Sequence, residues 1–199
     1  IPLAEYLGLI NEIGYHVLIE ACKRCKYWND FGHPEYKVNV NLSVIQLLQN
    51  DIIDTIKNAL TETEVQPSNL TLEVTEGLAI NDMKRMQEVL GEIKKLGVRV
   101  ALDDFGTGYS SLNHIRSMPI DVIKIDKCFV EDVGEDVFSE AFVKSVSQLA
   151  DALHMHVCVE GVEDKNQCDA LKDMNVDLIQ GYLFDKPLSV DDFEQKYLY

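Results

Sequence analysis

The stretch Ala101-Leu-Asp-Asp-Phe-Gly-Thr-Gly-Tyr-Ser-Ser-Leu112 is the part of the sequence that says most about the fold. An apolar run predicts a buried strand, and two adjacent carboxylates, Asp103 and Asp104, stand where that strand ends. The following glycines allow a tight loop whose backbone N–H groups can approach a ligand. Adjacent carboxylates repel each other, and a divalent cation would remove that cost. The alternative is a turn in which the two aspartates cap the next helix.

The same arrangement recurs along the chain. Six short apolar segments, separated by helical patterns, end in side chains suited to metal or phosphate: Asn41, Glu73, Asp103 with Asp104, Lys124 with Asp126, Glu160, and Gln180. This alternation predicts a parallel sheet with helical crossovers. Barrels build their sites from the ends of many strands, whereas doubly wound sheets place ligands at one switch point. The spread of these residues therefore favours an α/β fold of the TIM-like (β/α) barrel type.

The hydrophobic pattern also sets the expected elements. We predict strands over residues 37–42, 70–74, 98–102, 122–125, 155–159 and 178–179. We predict helices over residues 3–28, 44–60, 80–96, 136–153, 165–174 and 190–197, with a short helix after the glycine-rich loop. A complete barrel takes about 250 residues, and this sequence has 199. We therefore expect one domain over residues 1–199, truncated at its N-terminus, with about six of the eight strands of a TIM barrel.

Composition and charge exclude several classes of function. The chain is 46% hydrophobic and 26% charged, as is usual for a globular protein. Its 18 basic and 34 acidic residues give a net charge of −16, which argues against binding DNA or an anionic membrane surface. No apolar run approaches the roughly 20 residues of a membrane span, so we expect no direct membrane insertion by this segment. Five scattered cysteines predict reduced thiols and a cytoplasmic location.

The residue types at the strand ends predict a metal-dependent reaction. Oxygen ligands without His or Cys suit hard cations such as Mg²⁺ or Mn²⁺, and two such ions are a common device for phosphodiester hydrolysis. Asn41 offers a neutral oxygen and Glu73 a charged one, whereas Glu76 is expected to hold loop backbone. Lys124 should face inward, where an ammonium could steer a phosphate or polarise an attacking water. A salt bridge inside the barrel is the alternative for Lys124.

Taken together, the motifs resemble those of the EAL domain family. Matching motifs occur in the family's order and spacing across essentially the whole chain: Asn-Leu-Ser at 41–43, Glu-Val-Thr-Glu at 73–76, the Asp-Asp-Phe-Gly-Thr-Gly-Tyr-Ser-Ser-Leu stretch, Lys-Ile-Asp at 124–126, Glu-Gly-Val-Glu at 160–163 and Gln-Gly-Tyr at 180–182. The resemblance implies a TIM-like barrel that hydrolyses cyclic di-GMP to linear pGpG with Mg²⁺ or Mn²⁺, using two ions.

The resemblance also implies a role for each site residue. The implied metal ligands are Asn41, Glu73, Asp103, Asp104 and Glu160. Lys124, which would orient the attacking water, and Glu160 are the expected catalytic residues. Glu163 and Gln180 would lie around the metals and the substrate, and Glu76 would anchor the Asp-Phe-Gly-Thr-Gly loop. The family further implies a homodimer formed through that loop and the next helix, and sensor or GGDEF-type domains in a longer parent protein.

One feature departs from the family pattern. No Glu-Ala-Leu segment precedes Leu3, so we expect the strand that carries the family's first metal-binding glutamate to be missing. Two functions therefore stay open: an active cyclic-di-GMP phosphodiesterase, or a catalytically impaired domain that binds the nucleotide or regulates a partner. The chain retains every later ligand of the motif set, which favours the enzyme.

Overall fold

Strands and helices alternate in the computed structural model, which describes residues 1–76, 83–108 and 112–199. The described strands are β1 (Val38–Asn41), β2 (Leu70–Thr75), β3 (Arg99–Phe105), β4 (Val122–Ile125), β5 (His156–Val159) and β6 (Leu178–Ile179). The described α-helices are α1 (Pro2–Tyr6), α2 (Ile10–Asp30), α3 (Val44–Leu47), α4 (Ile52–Thr63), α5 (Met83–Lys95), α6 (Leu112–Ser117), α7 (Val137–Ala152), α8 (Lys165–Leu171) and α9 (Val190–Tyr197). Short 3₁₀ turns cover Pro67–Asn69 and Lys127–Phe129.

The strands follow one another in the sheet in the order in which they occur in the sequence, β1-β2-β3-β4-β5-β6. The pairs β1–β2, β4–β5 and β5–β6 are parallel. A doubly wound sheet would reverse its strand order at a switch point, and this sheet does not. Sequential parallel strands joined by helices are the arrangement of a (β/α) barrel, so the predicted fold class is confirmed.

The chain divides into two compact units, each with its own buried core. The first comprises residues 1–101 and, among the described residues, 112–120; here α2 packs against β1 and α4. Its fully buried side chains include Leu47, Ile56, Leu70, Leu72, Leu90 and Ile93. The second comprises residues 102–108 and 121–199; here α7 packs against β5, and Ile123, Ile125 and Leu171 are fully buried. Each such aliphatic side chain stabilises the fold by about 1.5–3 kcal/mol.

Two predicted helices are each divided in the structure. The helix predicted over residues 3–28 is α1 followed by α2, because Gly8 between them has a φ of +72°, outside the helical region. The helix predicted over residues 44–60 is α3 followed by α4, because Asp51 takes a non-helical backbone conformation. None of the described helices is both long and apolar enough to cross a membrane.

The third strand is longer than predicted, so Asp103 and Asp104 lie inside the strand and not after its end. β3 continues through Asp103 and Asp104 to Phe105, whose carbonyl accepts a hydrogen bond from the Asp126 N–H at 3.5 Å. The added backbone hydrogen bond explains the extension, which apolar periodicity alone does not show. The predicted start of the helix over 80–96 and the end of the glycine-rich loop, residues 109–111, lie outside the described residues.

Candidate metal centre

Three predicted site residues of the second unit form an acidic cluster. Asp103, Asp104 and Glu160 each offer a carboxylate oxygen, and these oxygens all lie within 4.8 Å of one another. Asp103, near the end of β3, is only 8% exposed, and Glu160 directly follows β5. The structure therefore brings Glu160 together with two adjacent aspartates that lie far from it in the sequence, and these three residues are called the acidic cluster.

The backbone of Asp104 explains how two adjacent residues join one cluster. Successive side chains of a regular strand point to opposite faces of the sheet. Asp104 has a φ of +55°, in the left-handed region, and this local rotation departs from the strand's alternation. Its N–H donates a hydrogen bond to Asp103 Oδ1 at 3.1 Å, and its carbonyl accepts one from Thr107 Oγ1 at 2.8 Å. The rotation allows both carboxylates to share the cluster.

Lys124 lies within hydrogen-bonding distance of two members of the cluster. Its Nζ is 2.9 Å from Asp103 Oδ1 and 2.8 Å from Glu160 Oε1, and its side chain is 4% exposed. A buried ammonium requires compensation by opposite charge, and these carboxylates supply it. The structure thus contains the ion pair that the sequence left as an alternative. An ammonium has three N–H donors, so this pairing is compatible with a further contact to water or phosphate.

The acidic cluster has the chemistry of a site for a hard divalent cation. When all groups are ionised, its three carboxylates and the ammonium of Lys124 carry a formal charge of −2. One divalent cation would balance that charge. Every candidate ligand atom is oxygen, the type that Mg²⁺, Mn²⁺ and Ca²⁺ prefer. Each carboxylate has two oxygens, so an ammonium on one oxygen still allows a cation on the other. The residues therefore fit a metal ion.

Two further predicted ligands are neighbours within the first unit. Asn41, the last residue of β1, is the register partner of Glu73, which lies two residues before the end of β2. Glu73 is 6% exposed, and its Oε1 accepts a hydrogen bond from Asn39 Nδ2 at 2.8 Å. Asn39 was not among the predicted site residues, although its spacing of two residues from Asn41 indicates the same face of the strand. Glu76, the predicted loop anchor, is buried directly after β2.

The last two predicted site residues line a pocket beside Glu160. Glu163 and Gln180 contribute to this pocket of about 250 Å³, together with Asp126, Lys127, Gly161, Gly181 and Tyr182. The sequence placed Asp126 at a strand end but gave it no role. Burial by itself would raise the pKa of Asp126, but hydrogen bonds from Cys128 and the charge of Lys127 lower it below its usual value. Asp126 is therefore a third carboxylate in the wall of this pocket, beside Glu160 and Glu163, and it is ionised at neutral pH.

The polypeptide backbone around Glu163 is fixed by a buried glutamine. The N–H of Glu163 donates to Gln167 Oε1 at 2.8 Å, and Gln167 Nε2 donates to the carbonyl of Glu131 at 3.0 Å. Gln167 also forms a reciprocal capping box with Asp164 at the start of α8. These contacts hold the segment that follows β5, which carries both Glu160 and Glu163.

The chain matches a known protein family and is similar to curated members of it. The family model of the EAL domain matches residues 1–187. The chain is 37% identical over 191 residues to the bifunctional diguanylate cyclase/cyclic di-GMP phosphodiesterase MucR of Pseudomonas aeruginosa, covering 96% of this chain and 28% of MucR. It is 33% identical over 195 residues to the cyclic di-GMP phosphodiesterase NbdA of the same organism, covering 98% of this chain and 25% of NbdA.

The fold of the chain is also similar to that of a solved structure. The PaMucR phosphodiesterase in its c-di-GMP complex superposes with a TM-score of 0.91 at 36% identity, over 96% of this chain and 78% of that one. This likeness agrees with the barrel-type strand order described above. The chain spans about a quarter of the length of the curated relatives that it matches.

Proposed function

Because the chain belongs to the EAL domain family, we propose that it is a phosphodiesterase that hydrolyses cyclic di-GMP to linear pGpG. The observation that carries the proposal is the acidic cluster with Lys124 buried against two of its carboxylates. The names of MucR and NbdA, both cyclic di-GMP phosphodiesterases, support the choice of substrate. The c-di-GMP complex of PaMucR supports it as well.

The proposal includes a metal requirement. Asp103, Asp104 and Glu160 would hold Mg²⁺ or Mn²⁺. Asn41 and Glu73 are proposed as further metal ligands, and two ions are proposed for the reaction. Bound metal would supply Lewis acidity, which neutralises phosphate charge and makes a water molecule more acidic. The oxygen-only donor set supports a hard cation over zinc or copper.

The chain's own residues would carry out the remaining tasks of the reaction. In hydrolysis, a water oxygen forms a bond to phosphorus while the bond from phosphorus to the 3′ oxygen breaks, and the released 3′ oxygen takes up a proton from solvent. The water must lose a proton, and the carboxylate of Glu160 is the proposed acceptor. Lys124 would direct an N–H toward the water or toward the phosphate oxygens on which negative charge grows. Its contacts to Asp103 and Glu160 hold the ammonium in position, so little reorganisation is needed during the reaction.

Other parts of the proposal concern binding and assembly. Glu163 and Gln180, in the pocket beside Glu160, are proposed to contact the nucleotide or its bound water. Glu76 is proposed to hold the Asp-Phe-Gly-Thr-Gly loop. We further propose a homodimer, a cytoplasmic setting in which the five free thiols stay reduced, and sensor or GGDEF-type domains in the parent protein. The bifunctional character of MucR supports such partner domains.

A nucleotide assay tests the proposed reaction. The protein is incubated with cyclic di-GMP and Mg²⁺ or Mn²⁺, and the products are separated by anion-exchange chromatography. We expect pGpG to accumulate, EDTA to stop it, and Glu160→Gln to reduce turnover at least about 100-fold because the variant loses a proposed proton acceptor and metal ligand. Glu140→Gln is the matched control, because Glu140 lies on α7 in an exposed pair with Lys144. That variant should retain full turnover.

The same samples distinguish the enzyme from a regulatory domain. Titration calorimetry measures nucleotide binding in parallel with the assay. Binding of cyclic di-GMP without any pGpG would overturn the hydrolytic proposal and favour the catalytically impaired binding domain. If the protein neither binds nor hydrolyses cyclic di-GMP, both functions are overturned.

A further inference from the structure

The backbone of Asp104 is unusual for its position in the fold. Four described residues other than glycine have a positive φ: Glu64, Asp104, His154 and Asn175. Glu64 and His154 follow the ends of α4 and α7 within two residues, where a left-handed residue is a common way to end a helix, and Asn175 lies in the turn after α8. Asp104 lies inside strand β3. A left-handed residue is unfavourable there and persists only when neighbouring groups hold it.

Thr107 holds the carbonyl side of Asp104. The Thr107 hydroxyl donates a hydrogen bond to the Asp104 carbonyl at 2.8 Å, and the Thr107 N–H donates to the same oxygen at 3.2 Å. On the other side, the Asp104 N–H donates to Asp103 Oδ1 at 3.1 Å. Both peptide groups that flank the Asp104 α-carbon are therefore fixed, which defines its φ and ψ.

A pair of aromatic rings packs against the same turn. Gly106 has a φ of +101°, and a Cβ added to it would lie 2.5 Å from the ring of Phe129 and 2.8 Å from that of Phe142. These two rings stack with centroids 4.0 Å apart. The turn after β3 thus packs against two stacked aromatic rings, while Thr107 itself is exposed. Of these contacts, the Thr107 hydroxyl is the one that can be removed without opening the core.

We propose that Thr107 is a positioning residue that holds the Asp104 carboxylate within the acidic cluster. The inference rests on the proposed function, because it assumes that the cluster binds a metal ion. Thr107 acts through the backbone of Asp104 and touches neither metal nor substrate in this account. Its hydroxyl fixes the left-handed conformation, and that conformation brings the side chains of two adjacent residues to one cation.

A pair of nearly isosteric substitutions tests this role. Thr107→Val removes the hydroxyl and keeps the side-chain volume, whereas Thr107→Ser keeps the hydroxyl. We expect Thr107→Val to weaken Mn²⁺ binding about tenfold, the scale reported for groups that orient metal ligands, and Thr107→Ser to retain wild-type affinity. Free Mn²⁺ is measured by electron paramagnetic resonance in the absence of nucleotide. The melting temperature in EDTA should be the same for all three proteins, because residue 107 is exposed.

A double-mutant cycle shows whether Thr107 acts through Asp104. Asparagine tolerates the left-handed conformation but removes the charge, so Asp104→Asn weakens Mn²⁺ binding by itself. Adding Thr107→Val to Asp104→Asn should cause little further loss, because the ligand that Thr107 positions is already impaired. The three-bond HN–Hα coupling of Asp104, measured by NMR without metal, should change in Thr107→Val and stay unchanged in Thr107→Ser.

The outcomes separate the inference from the proposed function. If the wild-type protein binds Mn²⁺ and Thr107→Val binds it equally well, the positioning role is refuted while the proposed function stands. The positioning role is also refuted if the losses of Mn²⁺ affinity caused by Thr107→Val and Asp104→Asn add up in the double variant. If the wild-type protein does not bind Mn²⁺, the metal-dependent function fails, and the inference that rests on it fails with it.

Discussion

Replacement of Lys124 by methionine is the sharpest test of the charge balance in the site. Lys124→Met keeps the length of the side chain and removes the ammonium from a position that is 4% exposed. The carboxylates of Asp103 and Glu160, which lie 2.9 and 2.8 Å from Nζ, then lose their compensating charge. In metal-free buffer, we therefore expect the variant to be less stable than the wild-type protein.

The size of this loss follows from the burial of the partners. Removing one partner of a buried ion pair costs about 3–5 kcal/mol. The side chains of Asp103 and Glu160 are 12% and 17% exposed, so water retains some access and the lower end of the range applies. About 3 kcal/mol corresponds to a fall of roughly 6–12 °C in the melting temperature for a domain of this size. Urea unfolding in EDTA measures the free energy directly.

The matched control and the response to metal complete the test. Lys144→Met removes an exposed lysine, 48% accessible, whose pair with Glu140 is on the surface, and should change stability by less than about 0.5 kcal/mol. Mn²⁺ should raise the melting temperature of Lys124→Met more than that of the wild-type protein, because the cluster has gained negative charge. Turnover should still fall at least about 100-fold. Wild-type stability of Lys124→Met in EDTA would refute the reasoning.

Two further substitutions test the metal centre and the loop after β5. Asp103→Asn should lose most of the Mn²⁺-induced rise in melting temperature, whereas the surface variant Asp169→Asn should keep it; equal rises would exclude Asp103 from the site. Gly161→Ala should destabilise the protein by about 2 kcal/mol, because Gly161 has a φ of +73° and its added Cβ would overlap Lys127 Cβ. Gly91→Ala, with open space in helix α5, should be stabilising by up to about 1 kcal/mol; similar urea midpoints for both alanine variants would contradict this prediction.

Much of the fold followed from short-range patterns. The bounds of β4 and β6 agree with the predicted segments 122–125 and 178–179, because flanking charged and polar residues limit each short apolar run. The alternation of strands and helices predicted a parallel sheet, and the spread of candidate ligands over many strand ends favoured the strand order of a barrel. The predictions failed where a single backbone angle interrupts a continuing apolar pattern, as at Gly8 between α1 and α2. Such angles depend on local geometry that hydrophobic periodicity does not encode.

The sequence by itself predicted which residues are candidates for the site. The carboxyl ends of parallel strands lie at one edge of a sheet, so a polar or charged residue suited to metal or phosphate at each strand end is enough to propose a candidate. It did not determine how the candidates pair. Only the tertiary structure decided that Lys124 lies between Asp103 and Glu160, and that Asp104 departs from the strand's alternation to share their cluster. Those distances join residues from separate strands and depend on packing and on one left-handed residue, so no pattern of neighbouring residues could have fixed them.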